Sequence, residues 1–136
     1  IYGSRASNGV ILITTKKGAI RSMPTVEEIE NALINEGKKI IEKIPKGAKV
    51  YSMCIEGKQR TSEELSKEID NLALEGASNI VFIIGGSFGL SDEVKKLSAY
   101  RLSMSKMTFP HQIARIMLLE QIYRAMQISL GTKYHK

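Results

Sequence analysis

The chain has 136 residues, 43% of them apolar and 25% charged, the balance of one globular domain that buries a real core yet gains from oligomerisation. It carries a net charge of +6, one cysteine (Cys54) and no apolar run near the roughly 18 residues that cross a bilayer, which excludes an internal disulfide framework and a membrane-spanning helix. A lone thiol suits a reducing compartment, and two histidines far from that cysteine leave no expected metal site.

The charge is unevenly spread. Residues 1–18 hold three basic groups and no acid, and residues 19–94 are net −4. From Lys95 onward eight basic groups face Glu120 alone, a net of +7. A positive C-terminal segment beside a negative middle suggests a face for a polyanion, nucleic acid first; a solvated basic surface is the plainer alternative.

In chain order, Ile1–Gly18 reads as a polar, glycine-containing lead and a β-branched strand, Val10–Thr15, closed by Lys16-Lys17-Gly18. An opening on Ile1 rather than Met suits a fragment, a processed chain or an edited sequence. Thr25-x-x-Glu28 after Pro24 is a capping box, and Ile29, Leu33, Ile40, Ile41 and Ile44 recur at helical spacing until Pro45. Ala48–Ile55 reads as a strand and Glu56-Gly57-Lys58 as the turn after it. A second capping box, Thr61 to Glu64, opens a helix running to about Leu74, with Gly76 at its close. Asn79–Ile84 is almost wholly apolar, as a central parallel strand covered on both faces must be. A short helix follows Ser91 over Val94–Leu97, Tyr100–Met104 reads as a further strand, and Pro110 opens a last helix to about Leu130. Strand, helix, strand with glycines after the strand is α/β logic, and it places ligands at the C-terminal edge of the sheet.

Two loops stand out there. Gly85-Gly86-Ser87-Phe88-Gly89 lacks both the dinucleotide fingerprint and the Walker lysine, so it is either a tight turn or a place where backbone meets ligand. Met104–Phe109 is apolar and sulfur-rich, suited either to filling core or to lining a flat heterocycle while its backbone groups bind the edge. His111 follows Pro110 at a helix start, a position for a cap, a packing residue or a base. The last helix is apolar almost all round, which calls for burial on more than one side, either against a second copy in a homodimer or wholly within the core. Arg115 and Arg124 interrupt it, each placed to bind phosphate or pair with Glu120.

Two resemblances follow. Residues 1–18 resemble the plug segment of TonB-dependent outer-membrane receptors of the SusC type, with no barrel pattern after them. From about Glu27 onward the chain resembles the SPOUT-class methyltransferases that modify N3 of a pseudouridine in large-subunit ribosomal RNA. The resemblance rests on Phe82-Ile83-Ile84-Gly85-Gly86, Gly89-Leu90, Leu102–His111 with its SKMTFPHQ core, Glu120–Ala125 and the terminal Tyr134-His135-Lys136. It implies an α/β parallel sheet with a C-terminal trefoil knot, a homodimer and S-adenosylmethionine as cofactor. Carried over, the cofactor positions fall on Met53, Gly85, Met104, Ser105, Lys106, Met107, Thr108 and Phe109. The catalytic and RNA-side candidates are His111, Arg124, Tyr134 and His135. Family members begin with a strand, a helix and a second strand where this chain has only Ile1–Gly18. The expected division is therefore an atypical extension over 1–18 and a methyltransferase domain over 19–136, with a knotted, dimeric RNA- or cofactor-binding protein lacking turnover as the alternative function.

Overall fold

The structure, a computed structural model, describes residues 23–136 and the strand backbone of 9–14. Its elements are β1 (Gly9–Thr14), α1 (Val26–Glu42), β2 (Lys49–Lys58), α2 (Ser62–Leu74), β3 (Asn79–Ile84), α3 (Asp92–Leu97), β4 (Tyr100–Leu102) and α4 (His111–Ser129). The four strands form one parallel sheet in the order β1-β3-β2-β4. Thr15, the end of the expected first strand, lies outside the described residues, as do the residues before Gly9.

β3 explains the layering. Its side chains alternate, so Val81 and Ile83 join Ile40, Val50, Leu90 and Val94 on one face, where α1 and α3 lie. Ile80, Phe82 and Ile84 join Tyr51, Leu65, Leu72, Leu118 and Ile122 on the other, under α2 and α4. A strand buried on both faces has to be apolar throughout, which accounts for its unbroken sequence. Each such side chain stabilises the fold by about 1.5–3 kcal/mol relative to leaving it in water.

Both capping boxes form. Thr25 Oγ1 accepts from the Glu28 amide at 3.2 Å while the Glu28 carboxylate accepts from the Thr25 amide at 2.8 Å. Thr61 and Glu64 repeat the pair at 3.1 and 2.8 Å. Gly76, with φ +86°, ends α2 in the left-handed region that favours glycine.

One expectation is corrected: Glu56-Gly57-Lys58 is not a turn but the end of β2. Met53 and Lys58 both register with Leu102, so the residues between them bulge out of the ladder. Gly57 permits this because a Cβ there would stand 2.7 Å from the Leu102 carbonyl carbon. β4 is also shorter than the expected Tyr100–Met104, ending at Leu102 where the chain leaves the sheet.

α2 and α4 run in the same direction, in step. Ser62 Oγ donates to Gln121 (2.6 Å), Ser66 Oγ donates to the Ala125 carbonyl (2.7 Å) and Ser129 Oγ donates to Asp70 (2.8 Å). The three links fall one helical turn apart at a constant sequence offset, which only parallel helices allow.

Candidate functional site

β2, β3 and β4 all point their C-terminal ends at one edge of the sheet, and a cavity of about 750 Å³ opens there. Its walls are the bulge after Met53, the loop after β3 and the loop between β4 and α4. This is the edge where open parallel sheets bind ligands, because the connections diverge from it.

The glycines are needed for close packing. A Cβ on Gly85 would lie 2.5 Å from the Gly89 carbonyl oxygen, closer than any side chain tolerates. Gly89 itself has φ +82°, and its amide donates to the Gly86 carbonyl at 3.1 Å, closing a tight turn over Ser87 and Phe88. The loop is therefore both things its sequence allowed, a tight turn and a cavity wall.

The methionine loop is fixed by its own serines. Buried Ser103 donates from Oγ to the Ser105 carbonyl at 3.0 Å, and Ser105 Oγ accepts from the Met107 amide at 3.0 Å. Met104, Ser105, Met107, Thr108 and Phe109 line the cavity with Met53, Gly85 and His111. Lys106, also an expected cofactor position, is not among the lining residues. Met53 and Met104 also pack against the core, so these sulfurs fill core and line the cavity at once.

The rim carries groups not singled out from the sequence. Glu56, on the bulge, accepts from Lys95 Nζ on α3 at 2.5 Å, a bridge that ties two cavity walls together. The Lys95 hydrogen bond, the largest influence, holds the Glu56 carboxyl below its ordinary range. Cys54 lines the same wall, and burial pushes its thiol up, with the Glu56 charge adding to the effect. No signal in one sequence could have found this pair, since the partners are 39 residues apart and meet only through the sheet.

The remaining candidates form a second cluster. Arg124 Nε and Nη2 donate to Glu120 Oε1 at 2.9 and 2.6 Å, and the guanidinium stacks over Tyr134, 4.9 Å from the ring centre. Tyr134 donates its hydroxyl to Glu120 Oε1 at 3.2 Å and meets Tyr123 edge-on at 5.0 Å. His135 Nδ1 lies 3.2 Å from Arg124 Nη1 and its Nε2 lies 2.8 Å from Glu63 on α2. Arginine only donates, so Nδ1 accepts and Nε2 carries the proton toward Glu63. The hydrogen bond from Arg124 is the chief cause that holds Glu120 low, and that from His135 the chief cause for Glu63.

The structure thus unites Arg124, Tyr134 and His135 and keeps them apart from His111. Arg124 lies thirteen positions along α4 from His111, a rise of about 20 Å. Glu120 was legible as an i, i+4 partner of Arg124, but Glu63 was not, because its sequence context is only that of a helix start.

Residues 3–135 match the family model described as "Predicted SPOUT methyltransferase", so the match reaches further toward the N-terminus than Glu27. The chain is 54% identical over 112 residues to Ribosomal RNA large subunit methyltransferase H of Clostridioides difficile (strain 630), covering 82% of this chain and 70% of that protein. It is 57% identical over 101 residues to the protein of the same name from Clostridium botulinum (strain Alaska E43 / Type E3), covering 74% and 64%. With that of Clostridium acetobutylicum it shares 47% over 123 residues, covering 90% and 74%. The chain therefore spans about two thirds of the length of the curated relatives it matches. With a parallel α/β sheet, a cavity at its C-terminal edge and a family match over nearly its whole length, this chain belongs to the SPOUT methyltransferase family.

Proposed function

We propose that this protein transfers a methyl group from S-adenosylmethionine to N3 of a pseudouridine in large-subunit ribosomal RNA, acting as a homodimer in the cytoplasm with its C-terminal segment knotted. The observation that carries the reading is the cavity: Met53, Gly85 and five of the six residues of 104–109 converge on it from three separate elements. Its size is that of a small-molecule site, and its wall of methionine, phenylalanine and glycine backbone suits a flat heterocycle.

S-adenosylmethionine, when bound, supplies an electrophilic methyl group. The chain's own residues do the rest. Gly85 packs tightly on the Gly89 backbone and the Ser103–Met107 hydrogen bonds fix the methionine loop, so two walls of the cavity are formed before a ligand arrives, which favours positioning of the reacting groups. An imide N3 must lose its proton for its lone pair to attack, and His111, one of the titratable groups lining the cavity, is our candidate to assist that loss. Arg124, Tyr134 and the basic tail supply a cation and a ring face, the chemistry that holds phosphates and bases of RNA.

Two features support the dimer. His111 and Arg124 stand about 20 Å apart along one rigid helix, more than a single base spans, and a second copy would bring one of each together. Ile113, Ile116, Met117, Tyr123 and Leu130 of the last helix and its cap are also exposed, an apolar stripe that a partner helix would cover.

The test pairs calorimetric titration of S-adenosylmethionine with a methyl-transfer assay on ribosomes lacking the modification. Binding with transfer to N3 is expected. Binding without transfer would select the reading as an RNA- or cofactor-binding protein without turnover, and no binding at all would refute the enzyme.

A further inference from the structure

We infer that Glu120 is a positioning residue that sets Arg124 and the C-terminal tail as one preformed unit for gripping the RNA; the inference rests on the reading of that cluster as RNA-facing. Glu120 is the only acid after Glu93, in a segment otherwise rich in cations, and an isolated carboxylate on a face meant for phosphates repels its own ligand. Its contacts explain why it is there. One oxygen accepts from Arg124 Nε, Arg124 Nη2 and the Tyr134 hydroxyl, and the other accepts from Gln121, which in turn accepts from Ser62 on α2.

The consequence is geometric. Arg124 has five N–H groups; two go to Glu120 and one to His135, leaving two that no described residue takes. The guanidinium cannot rotate without breaking the carboxylate fork, so those two remain aimed in a fixed direction. The Tyr134 ring is clamped between Arg124 on its face and Tyr123 at its edge, with its hydroxyl tethered to the same carboxylate. His135 then bridges Arg124 to Glu63, so the tail is pinned at both of its ring-bearing residues. Glu120 gives up some attraction for phosphate and in return removes the freedom of two long side chains and a chain end before RNA arrives.

The experiment uses the full chain with Glu120→Gln, which keeps the shape and removes the charge, and Tyr134→Phe, which keeps the ring and removes the tether. The expected result for Glu120→Gln is a Michaelis constant for ribosomes raised about tenfold, with kcat and S-adenosylmethionine affinity unchanged. Tyr134→Phe raises it less, and the double variant does little more than Glu120→Gln alone, because both act through one oxygen. Independently of turnover, the nitrogen signals of His135 report the Nε2–H tautomer in the parent chain and an averaged ring in Glu120→Gln. An unchanged Michaelis constant with a still-ordered His135 would overturn the inference, as would a matching loss of cofactor affinity. If the parent chain transfers no methyl group, the enzyme reading falls, and the His135 signals alone decide whether Glu120 sets the tail.

Discussion

At the scale of single residues, the site depends on places where a side chain is missing. Gly85 has no room for a Cβ against the Gly89 carbonyl, and the obstruction is backbone, which cannot swing away. Gly85→Ala is expected to cost about 1–3 kcal/mol of stability as an overpacked contact. It should abolish S-adenosylmethionine binding while far-ultraviolet circular dichroism stays native; full affinity in the folded variant would show that the close approach is unimportant. The tail cluster has its own signature in pH. Glu120 and Glu63 are both held below the ordinary carboxylate range, so the folded state keeps them ionised after the unfolded chain has taken up protons. Their contribution is complete above the unfolded value of about 4.3 and is lost as the pH falls through the lower folded values. The near-ultraviolet tyrosine signal of the Tyr123–Tyr134 pair should stay flat from pH 7 to about 5 and collapse only in more acidic solution. A collapse beginning at pH 6 would assign the switch to another group.

At the scale of elements, hydroxyls align two helices that apolar packing alone would leave free to slide. Ser66 is buried and donates to the Ala125 carbonyl in the middle of the α2–α4 seam. Ser66→Ala removes that bond and should lower stability by about 1 kcal/mol, read from the denaturation midpoint with an unchanged slope. An unaltered midpoint would mean that the close approach of α2 to α4 rests on Leu65, Leu72, Leu118 and Ile122 alone. The bulge in β2 shows the opposite case, where one element gives up ladder bonds to gain a function. Between Met53 and Lys58 the strand leaves the β4 register, and the freed residues Cys54, Ile55 and Glu56 become cavity wall. A flat strand would have kept those side chains alternating across the sheet and closed off that side of the cavity.

At the scale of the whole molecule, α4 is half buried and half offered. Leu118, Ile122 and Ala125 face α2 and the sheet, while Ile116 is 67% and Leu130 74% exposed. In the dimer we propose, Ile116→Asp is expected to halve the mass measured by light scattering without loss of helix content, since this side chain is 67% exposed and lies outside the buried core. A variant still dimeric would place the interface elsewhere. Among the described residues no helix is long and apolar enough to cross a membrane, so this stripe is not a membrane span.

Much was legible because it is local. Capping boxes, helix periods and the unbroken apolar run of β3 are properties of a few neighbouring residues, and each element formed where those signals lie. The cavity loops were legible only in combination: alone, Gly85–Gly89 also reads as a tight turn and Met104–Phe109 as core filling, and the resemblance of several motifs in order singled them out. What only the tertiary structure decided is pairing across distance. Whether the loops and the tail meet within one chain is not encoded locally: α4 is a rigid rod, and its length sets Arg124, with Tyr134 and His135 around it, about 20 Å along the axis from His111. Glu63 with His135, Glu56 with Lys95 and the in-step α2–α4 seam are contacts between residues dozens of positions apart. Such partners are chosen by how the sheet stacks its helices, and no local periodicity encodes that choice.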